Sequence, residues 1–369
     1  MRRASGQASA EYVAILLVVA SLLGAGSAAA VPGVGARVVK VVRTGICIVG
    51  GDVCRSAEAA AAGLAPCVTA ARSEREDTTL DVAVVRFGGH GEWQLALRSD
   101  GSAVVTRLEQ SDLGGTVGVG VTFSPVGVDA SARAAATIGY RSGRAWRFAD
   151  AAAARAFLAG ARRGGAPDVR WDALTGAGRA SAGAALGELA RAGVSAAADA
   201  ALGLRREGAR KTLALDLGSE DPGFEFELPG LPAAPAGARS MVAEVSWESG
   251  AVRELVLRTA IAADGRLEER TARLDLRDAR SRELAARLLR PGRTAGDLRA
   301  LMARVATHGI AERTGYSVEE EQRGFSMAGR LGVALGLTHE RVVAERRLTD
   351  AIAWVRGGPA QRRFDCLGV

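Results

Sequence analysis

Length, composition and charge limit the classes of protein to consider. The chain has 369 residues, of which 48% are hydrophobic and 24% charged, so it is globular and long enough for about two domains. Its 47 glycines follow no fixed period, which excludes collagen-like and short solenoid repeats. The formal charge is +7, but arginines alternate with acidic residues, as in segment 266–277. We therefore expect no nucleic-acid partner.

The N-terminal segment carries a long apolar run. Residues 12–36 are uncharged and follow Arg2 and Arg3. At about 1.5 Å per residue, such a helix can cross a hydrocarbon core of about 30 Å. Arginines before the run favour a cytoplasmic N-terminus and an exported body. The sequence thus predicts a single-pass protein of the cytoplasmic membrane, with its transmembrane helix at 7–36 and an extracytoplasmic or surface-exposed body.

The residues that precede this run form a recognisable string, GQASAEY at 6–12. Gly6, Gln7, Glu11 and Tyr12 resemble the leader of Flp/Tad-type prepilins, and the resemblance covers about the first 30 residues. It implies a leader at 1–6, a prepilin peptidase that cuts between Gly6 and Gln7, and other envelope or pilus proteins as partners. A carboxylate at position 11 also suits the positive end of a helix dipole and needs a partner within a membrane.

Two alternatives for this segment remain open. A secretory signal peptide would be cut near Ala28 and Ala30, and a signal anchor would remain uncut. All three interpretations place the body outside the cytoplasm.

The cysteines predict disulfides. An even number in an exported chain favours two bridges, and four cysteines permit three pairings. We favour Cys47–Cys54 together with Cys67–Cys366, which ties the tail to the segment after the helix. The long bridge would stabilise the fold by about 4–5 kcal/mol in the loop-entropy model. Their spacing matches no common zinc pattern, so we expect no metal and no cofactor.

The rest of the chain alternates between strands and helices. We divide it into a cysteine-bearing neck at 37–79, an antiparallel β region at 80–148, an alanine-rich helical insertion at 149–206 and an α+β region at 207–369. Asp-Gly pairs at 100–101 and 264–265 predict hairpin turns. Helices are expected at 150–162, 180–201, 280–289 and 294–307, and the final strands at 310–321, 326–337 and 341–355. The predicted fold class is α+β, with a transmembrane helix before an antiparallel β-rich body.

Small residues recur on one face of the strands at 116–140 and 327–337. Such faces fit close backbone approach, either in a β-mediated assembly or in a membrane-inserting hairpin, whose strands need about 9–11 alternating residues. They also fit a sheet that the alanine-rich helices cover closely, and this is the interpretation we favour.

Catalytic motifs are missing from the sequence. His90, His308 and His339 lie in unrelated surroundings, so we predict no catalytic residue and no enzyme. Our first hypothesis is a pilin-like or surface protein whose β-rich body contacts other proteins. The alternatives are a secreted effector or pore-forming protein, and an envelope hydrolase.

Overall fold

The computed structural model describes residues 47, 51–82, 85–115, 121–123, 128–130, 138–160, 165–176, 202–216, 240–289, 294–330 and 334–367. The leader residues Gly6, Gln7, Glu11 and Tyr12 and the predicted helix at 7–36 lie outside these ranges. The resemblance of this segment to prepilin leaders therefore stays a prediction.

Fifteen strands account for much of the described chain. In chain order they are β1 (Val68–Val82), β2 (Val85–Arg98), β3 (Ala103–Gly115), β4 (Val121–Phe123), β5 (Val128–Ala130), β6 (Ile138–Phe148), β7 (Val169–Gly176), β8 (Leu202–Glu207), β9 (Arg210–Asp216), β10 (Ser240–Glu248), β11 (Ala251–Ala263), β12 (Arg266–Asp275), β13 (Ile310–Arg330), β14 (Ala334–Val355) and β15 (Gln361–Arg362).

These strands close into a barrel. Each strand from β1 to β14 pairs antiparallel with the next, except that β4 and β5 form a ladder of their own. β14 then pairs with β1 from Ala70 opposite Arg347 to Val82 opposite Leu335, which completes a ring of twelve strands. The predicted α+β class is therefore wrong. The closing pair joins segments at opposite ends of the sequence, and no local pattern indicates such a contact.

The hairpin turns follow from local chemistry. Gly101 has a φ of 87°, and Asp264 and Gly265 have φ values of 50° and 71°. Glycine and aspartate tolerate this left-handed region best, and the turn lets the flanking strands keep their natural twist. Both predicted Asp-Gly turns therefore form, between β2 and β3 and between β11 and β12.

Four described helices accompany the barrel: α1 (Ser56–Ala61), α2 (Ala151–Gly160), α3 (Ala279–Leu289) and α4 (Ala295–His308). α4 begins at the capping residue Thr294, whose hydroxyl accepts the N–H of Asp297. Apolar side chains of α3 and α4 pack on strands β9–β13 and form the main core, which includes Leu257, Leu274, Leu288, Leu301 and Ala311.

Helices α3 and α4 lie on the outer surface of the barrel, whereas α1 packs with Ala353 and Ile310 on the opposite face of the sheet. Barrel diameter grows with strand number: eight strands are filled by their own side chains and sixteen leave a channel, so twelve strands enclose a lumen of intermediate width. A helix with its side chains is about 10–12 Å across, so the packed α3–α4 pair does not fit inside. The sheet face that includes Ala311 is therefore the outer face, and the opposite face lines the lumen.

No described helix is both long and apolar enough to cross a membrane. The closed barrel contradicts the prediction of a single-pass protein of the cytoplasmic membrane with a prepilin peptidase as its partner. The pilin-like body is wrong as well, because the chain after the neck forms a closed barrel.

Several strand boundaries also differ from the prediction. β1 begins at Val68, inside the predicted neck, and β7 occupies part of a predicted loop. The last three predicted strands are two long ones, β13 and β14, because the charged segment around Glu320 continues the strand.

Candidate functional site: the upper rim and the lumen

The two ends of the barrel differ in character. We call the end that carries both disulfides the lower end, and the opposite end, where the β1–β2 and β13–β14 hairpins turn, the upper end. Near the upper end one row of directly paired positions runs across six neighbouring strands. We call this the apolar row: Met327, Leu337, Leu80, Phe87, Leu113 and Ile138.

The apolar row belongs to the outer face. Positions in a strand alternate between faces, so Phe325 and Met327 share the face of Ala311 further down β13. Ala311 packs in the core beneath α3 and α4. On β3, Leu113 likewise shares the face of Val105, which α2 covers. Both comparisons place the apolar row on the outer face of the barrel.

Two large apolar side chains are exposed at the upper end, one of them in the apolar row and one beside it. Phe325 is 53% exposed and Leu337 is 36% exposed. The Phe325 ring lies 5.7 Å from the ring of His339, whose Nδ1 is 3.1 Å from the Thr78 hydroxyl. Exposed apolar surface at a strand tip costs free energy in water, so it marks a surface for contact with another molecule or a membrane.

The positions that alternate with the apolar row along the strands carry polar residues. Thr338 and Ser326 pair with each other, and Asp81 pairs with Arg86 on the neighbouring strands. These positions alternate with the apolar row and belong to the lumen face. Apolar positions outside and polar positions inside are the pattern of membrane-spanning barrels.

Charged pairs border the apolar row on the outer face. Glu74 pairs with Arg341, and Arg72 pairs with Glu345 at 3.1 Å. All four side chains are exposed, and they lie further down β1 and β14 than the row itself. The change from charged to apolar positions therefore falls between Glu74 and Leu80.

Two further strands follow β3 in the chain. Leu113 of β3 pairs with Ile138 of β6, and Val121 of β4 pairs with Ala130 of β5 in a separate two-stranded ladder. The residues that connect this ladder to β3 and β6 lie outside the described ranges.

The lumen face holds networks of arginines and carboxylates. Glu244 lies between Arg205 and Arg258, at 3.9 and 3.4 Å. Arg346 contacts Glu269 at 2.7 Å and lies over the Tyr316 ring. Burial, together with the negative charge of Glu269, raises the pKa of the Tyr316 phenol above its usual value. A charged lining of this kind is typical of barrels with a polar interior.

Both ends of the described chain occupy the lower lumen. We call neck residues 51–67 and tail residues 356–367 the terminal clasp. Arg363 is 1% exposed and donates to Glu312 at 2.6 Å, to both oxygens of Asp365, and to the Ala65 carbonyl. Burial lowers the pKa of Arg363, but the charges of Asp365 and Glu312 outweigh it and raise the pKa overall.

The disulfides secure the terminal clasp. Cys47 is bonded to Cys54, and Cys67 to Cys366, which is the pairing favoured among the three. All four cysteines are in disulfides, so none is a free thiol. In the described chain His90 faces Asp77 and His308 contacts Arg304, and no group of three metal-ligating side chains forms.

The sequence analysis did not identify the apolar row. It favoured a sheet covered by the alanine-rich helices, and the structure tests this interpretation in part. α2 covers Val105 and Trp146 near the lower end, so it does not reach the row. The predicted helix at 180–201 lies outside the described residues. The alternation within each strand was a visible signal, but the register that aligns the strands was not.

Comparisons with known proteins add little. No family model matches the chain, and no curated protein matches it. Among solved structures, a mutant of the TodX monoaromatic hydrocarbon channel is 10% identical over 77% of this chain and 91% of its own, with a TM-score of 0.16. The translocator domain of the autotransporter NalP from Neisseria meningitidis is 8% identical over 76% and 88%, with a TM-score of 0.13. Likenesses this weak carry no functional assignment.

Proposed function

We propose that this chain is an exported, disulfide-stabilised β-barrel protein that inserts its upper end into a lipid membrane and forms a water-filled pore there. The apolar row carries this proposal, because six neighbouring strands have apolar residues at directly paired positions of the outer face, next to the exposed side chains of Phe325 and Leu337. This corresponds to the pore-forming alternative of the sequence analysis.

Three physical features support membrane insertion. In hydrocarbon each backbone N–H and C=O must be paired within the protein, and antiparallel strands satisfy most of them. The positions that alternate with the row, such as Thr338 and Asp81, suit a water-filled lumen. Disulfides persist in oxidising compartments, so Cys67–Cys366 supports a location in the envelope or beyond the cell.

The competing hypotheses fit less well. A surface protein that only contacts other proteins needs no change from apolar to polar on alternate positions across six strands. An envelope hydrolase needs a nucleophile beside a base, and the cysteines are held in disulfides. We therefore assign no enzymatic reaction to the chain.

Liposome flotation tests the proposal. The double variant Phe325→Ser/Leu337→Ser removes the two exposed apolar side chains, and we expect it to lower the bound fraction at least tenfold. The control Glu321→Ser/Arg323→Ser changes an exposed ion pair below them on β13, and it should bind like the wild type. Equal binding by both variants, or no binding by the wild type, would contradict the proposal.

A further inference from the structure

A line of basic residues crosses five neighbouring strands on the outer face. Arg107 shares the face of Val105 on β3, and Lys211 shares the face of Leu213 on β9, so both ends of the line lie outside the barrel. Each member is directly paired with the next. We call this the basic row: Arg107, Arg144, Arg170, Arg206 and Lys211, from β3, β6, β7, β8 and β9.

Two carboxylates neutralise part of this charge. Glu109 contacts Arg107 at 2.5 Å, and Asp172 contacts Arg206 at 3.4 Å. The two arginine side chains are still 43% and 51% exposed, and ion pairs as open as these contribute little to stability. Five cations against these two carboxylates leave the row with an excess of positive charge.

Two further arginines lie between these ion pairs. Arg144 and Arg170 are directly paired with each other, and both are exposed. Within the described chain, no carboxylate forms an ion pair with either of them. Like charges at directly paired positions destabilise a sheet, so fold stability does not explain their presence. An exposed line of cations instead marks a surface for an anionic partner.

The basic row follows the apolar row at a constant distance along the strands that carry both. Arg107 is six positions from Leu113 on β3, and Arg144 is six positions from Ile138 on β6. At about 3.3 Å per residue and a strand tilt of about 35–45°, the two rows differ in height by about 14–16 Å. The middle of a hydrocarbon core is about 15 Å from the headgroups. On these strands, insertion of the apolar row to the middle of the membrane therefore brings the basic row to the headgroups.

An aromatic residue flanks the basic row. Trp93 of β2 is directly paired with Arg107, whose guanidinium group lies over the indole ring at 5.2 Å. Tryptophan is enriched where a membrane meets water, because its ring is both apolar and polar. A tryptophan next to a line of basic residues therefore fits a barrel wall at the level of the headgroups.

We infer that the basic row binds the phosphate groups of anionic phospholipids at the surface of the membrane that the upper end enters. The inference rests on the proposed function, because insertion of the apolar row brings the basic row to this surface. Arginine donates two parallel hydrogen bonds to phosphate, and the negative potential of an anionic leaflet attracts basic residues. Contact with the headgroups thus offsets the repulsion within the row.

Flotation with two kinds of liposome tests the inference, one of phosphatidylcholine alone and one that also contains phosphatidylglycerol. Arg144→Gln/Arg170→Gln removes the two arginines that have no carboxylate partner within the described chain. Arg356→Gln/Arg362→Gln is the matched control, since it removes two exposed arginines at the lower end and changes the net charge equally. Thermal unfolding confirms that both variants fold.

A basic residue near an anionic surface strengthens binding about fivefold. We therefore expect phosphatidylglycerol to raise the bound fraction of the wild type and of the control by about tenfold or more. This gain should be lost in Arg144→Gln/Arg170→Gln, and also in the wild type at high salt, which screens exposed charges.

Two results would overturn the inference and leave the membrane proposal standing: equal binding of the wild type to both liposomes, or a gain that Arg144→Gln/Arg170→Gln retains. If the wild type binds only the anionic liposomes and this variant binds neither, the basic row is confirmed and insertion of the apolar row is contradicted. A wild type that binds neither liposome contradicts both.

Discussion

Cys366 forms a disulfide with Cys67, 299 positions earlier in the sequence, at the seam where β14 meets β1. Their Cα atoms are 5.5 Å apart, and Cys67, Cys366 and Ala351 form one buried cluster. The bridge therefore fastens the tail to the beginning of the strand that closes the barrel. Few positions in the chain are further apart in sequence and so close in space.

The two disulfides should differ in their effect on stability. The Cys67→Ser/Cys366→Ser double variant opens a loop with a sequence separation of 299 and should lower the free energy of unfolding by about 5–6 kcal/mol in the loop-entropy model. Cys47→Ser/Cys54→Ser opens a separation of 7 residues and should cost about 2 kcal/mol. Urea denaturation measures both. Equal losses would show that loop length does not govern the effect.

Arg363 should be the most costly arginine to replace. Arg363→Met leaves Asp365 buried without its partner and leaves Glu312 with Arg273 alone, and breaking such a buried pair costs about 3–5 kcal/mol. The control Arg323→Met breaks the ion pair with Glu321, where the arginine side chain is 79% exposed, and should cost less than about 1 kcal/mol. Denaturation curves compare them, and a small loss for Arg363→Met would mean that the tail contributes little to the fold.

Gly143 should not tolerate a side chain. A Cβ at this position would lie 1.9 Å from the Trp171 ring on the neighbouring strand. Gly143→Ala should displace the ring, shift the tryptophan emission and destabilise the barrel by about 1–3 kcal/mol. Gly91→Ala is the control, because a Cβ there meets nothing within 4 Å. An unchanged emission spectrum for Gly143→Ala would contradict this packing.

Local features of the fold followed from the sequence, and long-range ones did not. The Asp-Gly turns, and helices α3 and α4 within two residues of their ends, depend on nearby residues. Closure depends on β1 pairing with β14, and the charged alternation from Arg72 to Glu76 was assigned to the neck because no neighbouring segment explains it. Exposed charges on an outer face resemble those of a solvated linker.

The candidate site shows the same limit. The alternation at 116–140 suggested either a membrane hairpin or a sheet covered by helices, and composition alone favoured the covering helices. The register then placed Leu113 beside Phe87, and Phe87 beside Leu80, on one face. A band that is assembled from six strands cannot be found in any single strand.

Site-specific labelling tests the central claim most directly. All native cysteines are paired, so a cysteine introduced at one position is the single thiol available for an environment-sensitive fluorophore. We compare Leu337→Cys on the outer face with Thr338→Cys, the adjacent position on the lumen face. With liposomes, the label at 337 should shift to the blue and be quenched from the lipid phase, whereas the label at 338 should remain accessible to an aqueous quencher. The account is contradicted if both labels respond alike or if the label at 337 stays in water.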